Sequence, residues 1–329
     1  MRALRPISLI AGVAAVALAT LVVASPAAGA TLPTGQRITV ALPSGAFVVP
    51  PTSQEYTVSP ADASGTAVGA TAPVSPTAFD VDDAGIGYAL AFDEDTDRPL
   101  ILPFDANTGT YGAPVVIQVG ILADALCNSI DYVPGTAVYI ACNWEGDGSF
   151  VTMFGAVDPA TGAFDVIADN EANGEEPTIE YSSIATNPVT HVTWVIYYDG
   201  SSIPYLMAPV DFAAEELGVP IPLTTGLRVF GSDFDRSGQL WASVQEAAVD
   251  PSANVLATIN TFTGAVDQIA PYGFQGDITF NMGSITVWGA LAATGSATDD
   301  FAPVGIGSAL LLLAGAAFIA TSRIQRRGA

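Results

Sequence analysis

The chain has no lysine, and one histidine, His191, among 329 residues. Without a lysine amine it cannot be joined end to end through lysine as a polymerising shaft, nor carry an internal Lys–Asn cross-link. One histidine excludes a histidine-rich metal site. A Ser–His–Asp triad would have to use His191, which falls in the strand-like run 189–198 and reads as a surface strand residue. The two cysteines, Cys127 and Cys142, form no C-x-x-C and have no histidine nearby, which argues against a redox or metal role. No phosphate-cradling glycine loop or dinucleotide fingerprint is present. The body, 31–290, also shows no convincing amphipathic helix.

Positive charge is scarce too. Formal net charge is −24. Within 31–294 only Arg37, Arg98, Arg228 and Arg236 oppose 31 acidic residues, a net −27. Such a surface repels nucleic acid and anionic lipid, and suits high solubility, cations or cationic partners.

Two long apolar runs lie at the ends. Arg2 and Arg5 precede an apolar stretch from Ile7 to Ala24 and then Ala28-Gly29-Ala30. This is the layout of a secretory signal peptide (1–30), cut after Ala30. At the other end, Leu291-Ala292-Ala293-Thr294-Gly295 is followed by an acidic spacer, an apolar run over 301–321, and a basic tail (322–329) with Arg323, Arg326 and Arg327. About twenty helical residues span a ~30 Å hydrocarbon core, and the arginines place the tail on the cytoplasmic side. The order resembles the cell-wall sorting signal of Gram-positive surface proteins, in the LAxTG form used by class E sortases. The resemblance implies that a sortase cuts between Thr294 and Gly295 and joins Thr294 to a peptidoglycan precursor. The expected location is therefore extracellular, on the cell wall, or on the membrane if the segment is retained as a transmembrane helix. Outside the cell, Cys127 and Cys142 are expected to pair across a hairpin turning at Pro134-Gly135.

The body repeats. Ala78–Ala89 (AFDVDDAGIGYA) matches Gly231–Ala242 (GSDFDRSGQLWA), and Ser129–Ala141 follows the same plan. Ser183–Val195 and Gly276–Gly289 are looser copies, and the aromatic ends at 88, 139, 194, 241 and 288 are spaced 51, 55, 47 and 47 apart. A second element lies between copies, at 104–112, 157–165, 210–218 and 259–267, with a further copy at 58–69. Asp82 to Gly85 and Asp235 to Gly238 put Asp first and Gly fourth, as a type I turn requires. About four strands per ~50-residue unit predict an all-β protein, a β-propeller of about five four-stranded blades. The unpaired elements near Trp288 and Val58 would share one blade and close the ring. The domain boundaries are 31–54 for an N-terminal segment, in which 37–49 could add an outer strand, 55–290 for the propeller, and 291–329 for the sorting signal. The body resembles irregular propellers of the streptogramin-lyase-like and quinoprotein-like kind. Wall-anchored β-sandwich domains are the alternative fold.

Asp80, Asp131 and Asp233 share one repeat position on the expected inner strand. Three carboxylates at a channel could hold Ca²⁺; capping of local backbone is the competing role. The run from Asp93 to Asp97 begins like a calcium loop, but Arg98 and Phe104 stand where glycine and glutamate are required, so an acidic loop is expected. Tyr197, Tyr198 and Tyr205 with Trp194 could form a sugar-stacking surface, although repeated tryptophans also suit blade packing. The leading expectation is a monomeric displayed head that binds a glycan or a surface protein, not an enzyme. The alternatives are an extracellular glycosidase or lyase on the same scaffold, and a purely structural surface protein.

Overall fold

The computed structural model describes residues 31–43, 53–72, 76–93, 95–120, 125–146, 149–173, 180–200, 205–214, 216–224, 226–246, 254–272 and 284–289. The readings on 1–30 and on 290–329, including the LAATG motif and the apolar run, lie outside these residues. No helix among the described residues is long and apolar enough to cross a membrane.

Among the described residues every regular element is a strand: β1 (Arg37–Pro43), β2 (Ser53–Val58), β3 (Gly65–Ala72), β4 (Pro76–Val81), β5 (Ile86–Asp93), β6 (Arg98–Asp105), β7 (Thr110–Tyr111) and β8 (Val115–Val116). They are followed by β9 (Leu126–Val133), β10 (Ala137–Gly146), β11 (Ser149–Val157), β12 (Phe164–Asn173), β13 (Glu180–Thr186), β14 (Thr193–Tyr198), β15 (Leu206–Asp211), β16 (Glu216–Leu217) and β17 (Ile221–Pro222). The last are β18 (Leu227–Phe234), β19 (Leu240–Glu246), β20 (Val255–Ile259), β21 (Val266–Pro271) and β22 (Ser284–Trp288). They form five antiparallel sheets: β4–β8, β9–β12, β13–β17, β18–β21, and β22 with β1, β2 and β3. The first strands of the sheets neighbour one another in the cyclic order β4, β9, β13, β18, β22 and back to β4. This is a five-bladed β-propeller closed by strands from both chain ends.

Each blade is drawn by the same local chemistry. In the turn between first and second strands, the carboxylates of Asp82 and Asp235 accept the N–H groups of Ala84 and Ser237 (2.8 Å each), and Gly85 and Gly238 take φ of +79° and +84°. Asn187 accepts the N–H groups of Val189 and Thr190 at 2.9 and 3.1 Å in the third blade, where the left-handed residue is His191 (φ 57°). His191 therefore occupies an exposed turn before β14, not a strand. The turns between third and fourth strands repeat too. The N–H groups of Gly109, Gly162 and Gly264 reach Asp105, Asp158 and Asn260 carbonyls at 2.7–2.8 Å. A Cβ on Gly162 would lie 2.0 Å from the Val116 carbonyl of the preceding blade, so only glycine allows this approach.

The first strands also share a feature that the repeat pattern did not reveal. Pairing with the second strand slips at one residue in four of the five, at Thr77, Asn128, Ser182 and Phe230. Each bulge lies three residues before Asp80, Asp131, Ala185 or Asp233. The slip at Asn128 also brings Cys127 directly opposite Cys142, and the two form a disulfide. Closing a loop of about 15 residues contributes on the order of 3 kcal/mol.

The closing blade corrects two expectations. β1 lies between β22 and β2, so 37–43 is a second strand of the blade and not an outer addition. Trp288 ends a first strand, whereas Tyr88, Tyr139, Trp194 and Trp241 lie on second strands. Ser284 to Trp288 therefore aligns with Ser129 to Val133. The seam to the first blade is well filled. Trp288 is 4% exposed, packs with Phe79, Val81 and Phe104, donates to Thr39 Oγ1 at 2.8 Å, and lies under Arg37 at 5.4 Å. Farther out, buried Glu55 accepts hydrogen bonds from Tyr111 (2.5 Å) and Ser53 (2.9 Å). Burial nevertheless pushes the Glu55 carboxyl above its ordinary value.

Candidate functional site

The first strand of a blade exposes one backbone edge to the channel, and its N–H groups need partners there. Three aspartates provide them across blade boundaries. Asp80 Oδ2 accepts the Tyr132 N–H at 2.6 Å. Asp131 accepts the Thr186 N–H at 3.1 Å and the Thr186 hydroxyl at 2.5 Å. Asp233 Oδ2 accepts the Val287 N–H at 2.5 Å. In every case the donor follows the equivalent repeat position in the next blade. Asp80 and Asp233 also accept the N–H of their own following residues, at 2.8 and 2.6 Å. The repeat position therefore reads Asp80, Asp131, Ala185, Asp233 and Thr286 around the ring.

The oxygens expected to hold Ca²⁺ are bonded to protein; Asp80 and Asp233 cap local backbone as the competing role would have it, but all three reach mainly to the next blade, a role neither expectation described. Among the described residues, no group of three or more His, Cys, Asp or Glu side chains is arranged to hold a metal ion. The Asp93 run behaves as the acidic loop expected: the Asp93 carboxylate accepts the Asp95 N–H at 3.0 Å and the Thr96 hydroxyl at 2.7 Å.

The ring of carboxylates is proton-rich. Burial, then the Asp131 charge, pushes Asp80 up to about 7. Burial pushes Asp131 up to about 6, and burial with the Asp80 charge pushes Asp233 well above its ordinary value. Geometry gives the same answer independently. Thr286 Oγ1 lies 2.7 Å from Asp80 Oδ1 and 3.1 Å from Asp233 Oδ2. A hydroxyl has one hydrogen to donate. With both carboxylates ionised, one contact would set oxygen against oxygen; a proton on either aspartate completes the chain.

A different cluster lies at the other end of the channel. The 186 end of β13 abuts the turn Asp235–Gly238, whose Arg236 N–H donates to Gln36 at 3.1 Å, so that end is the side of the chain termini. Glu180 begins β13 at the opposite end, roughly 17 Å from Ala185 at ~3.3 Å per residue. Glu180 pairs with Tyr198 on the adjacent strand. The Tyr198 and Tyr205 rings lie 5.8 Å apart at 39°. Both are half-buried, while Glu180 and Arg228 keep solvent contact. Burial raises the Glu180 carboxyl and the Arg228 charge pulls it down by less. Burial, then the Glu180 charge, pushes the Tyr205 phenol up to about 12, so it stays neutral. Glu180 on β13, Tyr198 on β14, Tyr205 just before β15 and Arg228 on the first strand of the next blade thus lie at the same end of adjacent blades.

Of the four aromatics expected to form a stacking surface, only Tyr198 and Tyr205 come together. Tyr197 is 6% exposed in the core, and Trp194, at the terminus-side end of β14, packs with the core of the third and fourth blades, as one side of Tyr205 also does. Trp241 is fully buried and donates to Asp235 at 3.0 Å. The tryptophans are therefore packing residues. Glu180, Arg228 and Thr286 escaped the sequence reading. Thr286 could have been found by aligning Ser284–Trp288 as a first strand.

No protein-family model and no curated protein matches the chain. Solved structures similar to it include TolB from Acinetobacter baumannii, at 16% identity and TM-score 0.42, covering 72% of this chain; the match spans 53% of that TolB chain. A Bacteroides caccae protein of unknown function is 10% identical at TM-score 0.39, with 77% and 98% of the two chains covered. A luciferin-regenerating enzyme is 14% identical at TM-score 0.39, with 78% and 93% covered. At these identities the likeness concerns the propeller fold alone.

Proposed function

We propose that this chain is a secreted surface protein of a Gram-positive cell wall, displaying its propeller as a monomeric binding head. A sortase would join Thr294 to a peptidoglycan precursor. One observation carries the reading beyond the sequence: the two ends of the propeller leave side by side. Gly289 packs so closely on the Gly35 carbonyl that a Cβ there would lie 2.4 Å from it. Leu291 follows Gly289 by two residues. The face of the ring away from these two ends carries Tyr198, Tyr205, Glu180 and Arg228. The enzyme alternative would draw on the channel aspartates, whose oxygens are already bonded to the neighbouring blades.

The test is fractionation of cells producing the wild-type chain or Thr294→Ala. The wild type is expected in the wall fraction, released only by a wall hydrolase. The variant, lacking the threonine side chain that the sortase would recognise at the cleaved bond, is expected in the membrane fraction or the medium. Equal wall attachment of the two would sink the sorting reading.

A further inference from the structure

We propose that the channel mouth away from the termini binds a neutral glycan, with Tyr198 and Tyr205 as an aromatic platform and Glu180 and Arg228 as its hydrogen-bonding pair. The proposal rests on the binding-head reading and adds the site and the ligand class.

The arrangement selects its ligand by elimination. Tyr198 and Tyr205 offer half-buried ring faces with a polar tip each, suited to a partner that is apolar on one face and wet on its rim. A wholly apolar ligand would strip water from Glu180 and Arg228 without returning hydrogen bonds, which is costly. A cation would meet the Arg228 guanidinium at short range. An anion would meet Glu180 and the field of a head carrying −27. A pyranose satisfies all four groups. Its C–H face lies on a phenol ring, its hydroxyls donate to the Glu180 carboxylate, and they accept from the Arg228 guanidinium, whose donors form a rigid fork.

The site is also placed for a polymer. Glu180 starts β13 and Arg228 lies one residue into β18, the channel-lining strands of adjacent blades. A glycan chain could therefore run across it. Single-sugar affinity is expected to be weak, and many heads on one wall would raise it through avidity.

The experiment uses the head 31–290, which contains every strand of the five sheets. It is applied to arrayed neutral, uronic-acid and amino-sugar polysaccharides, and bound sugars are then titrated by calorimetry. Retention on a neutral polysaccharide is expected. Tyr198→Ala and Tyr205→Ala should each weaken it by about tenfold or more, and Glu180→Gln and Arg228→Gln by about fivefold, the scale of one lost contact or hydrogen bond. Phe262→Ser, in the β20–β21 turn, which lies on the terminus side, should leave binding unchanged. Circular dichroism separates lost binding from lost folding, and Glu180→Gln preserves shape where an alanine would not. Retention only on charged polysaccharides, no retention on any neutral one, or neutral binding indifferent to both tyrosines would overturn the site. If Thr294→Ala still abolishes wall attachment while no neutral glycan binds, the glycan site falls and the display reading stands.

Discussion

A chain beginning at Ser53 is expected not to fold, whereas one beginning at Thr31 unfolds in a single cooperative transition. The difference is β1, which bonds β22 on one side and β2 on the other through Ile38, Thr39, Val40 and Ala41. Ile38 and Val40 are fully buried, and Thr39 holds the Trp288 indole. Without β1 the last strand has no partner, and the cores on both sides of the closing blade open to water. A point substitution should show the same seam at smaller scale. Trp288→Ala removes the ring that packs on Phe79 and Phe104 and caps Gly85, and should cost about 3–5 kcal/mol, as for a buried tryptophan elsewhere. Urea titrations of the two truncations and of Trp288→Ala measure this. A folded product from Ser53 would show that ring closure does not need β1.

Stability is expected to rise as pH falls from about 8 to about 4, opposite to the usual acid loss. Asp80 and Asp131 titrate in the folded chain at about 7 and about 6, against 3.8 as the ordinary value. A carboxyl whose folded value is raised contributes fully below its unfolded value, and that contribution is lost as pH rises through the folded value. The loss should therefore run from about pH 4 to about pH 8. Asp93 and Asp158 are held below their ordinary value by hydroxyl donors, and they work in the other direction only as pH drops below about 4. A stability maximum near pH 4 results. Asp131→Asn tests the cause. The amide can still accept the Thr186 N–H and can donate to the Thr186 hydroxyl, yet one charge leaves the ring. The variant should gain stability at pH 8, change little at pH 4, and flatten the slope between. A slope unchanged by Asp131→Asn would place the pH response elsewhere.

The propeller was legible because its turns are local. Asp82 and Asp235 with their glycines, and Asp105 and Asp158 with theirs, announce a hairpin wherever they recur. The ring position of Asp80, Asp131 and Asp233 was legible for the same reason. Their role was not, because their partners are backbone N–H groups of the next blade, which no side-chain pattern records. Trp288 misled because an aromatic at the expected spacing resembles its counterparts, although its strand pairs with residues at the far end of the chain. Tyr197 and Tyr198 differ by one residue and therefore point to opposite faces of β14. Composition groups them; the pleat sends Tyr197 into the core on one face of the blade and Tyr198 to the other face, beside Tyr205. Glu180 and Arg228 meet only because consecutive blades bring their first strands side by side.

The covalent end of the mature chain decides where the head is held. The head released from hydrolysed walls should be digested and its C-terminal peptide read by mass spectrometry. A peptide ending at Thr294 and carrying a wall cross-bridge amine is the predicted result. A C-terminal peptide continuing through Gly295 into the apolar run would contradict it, and would make the chain a permanent membrane protein.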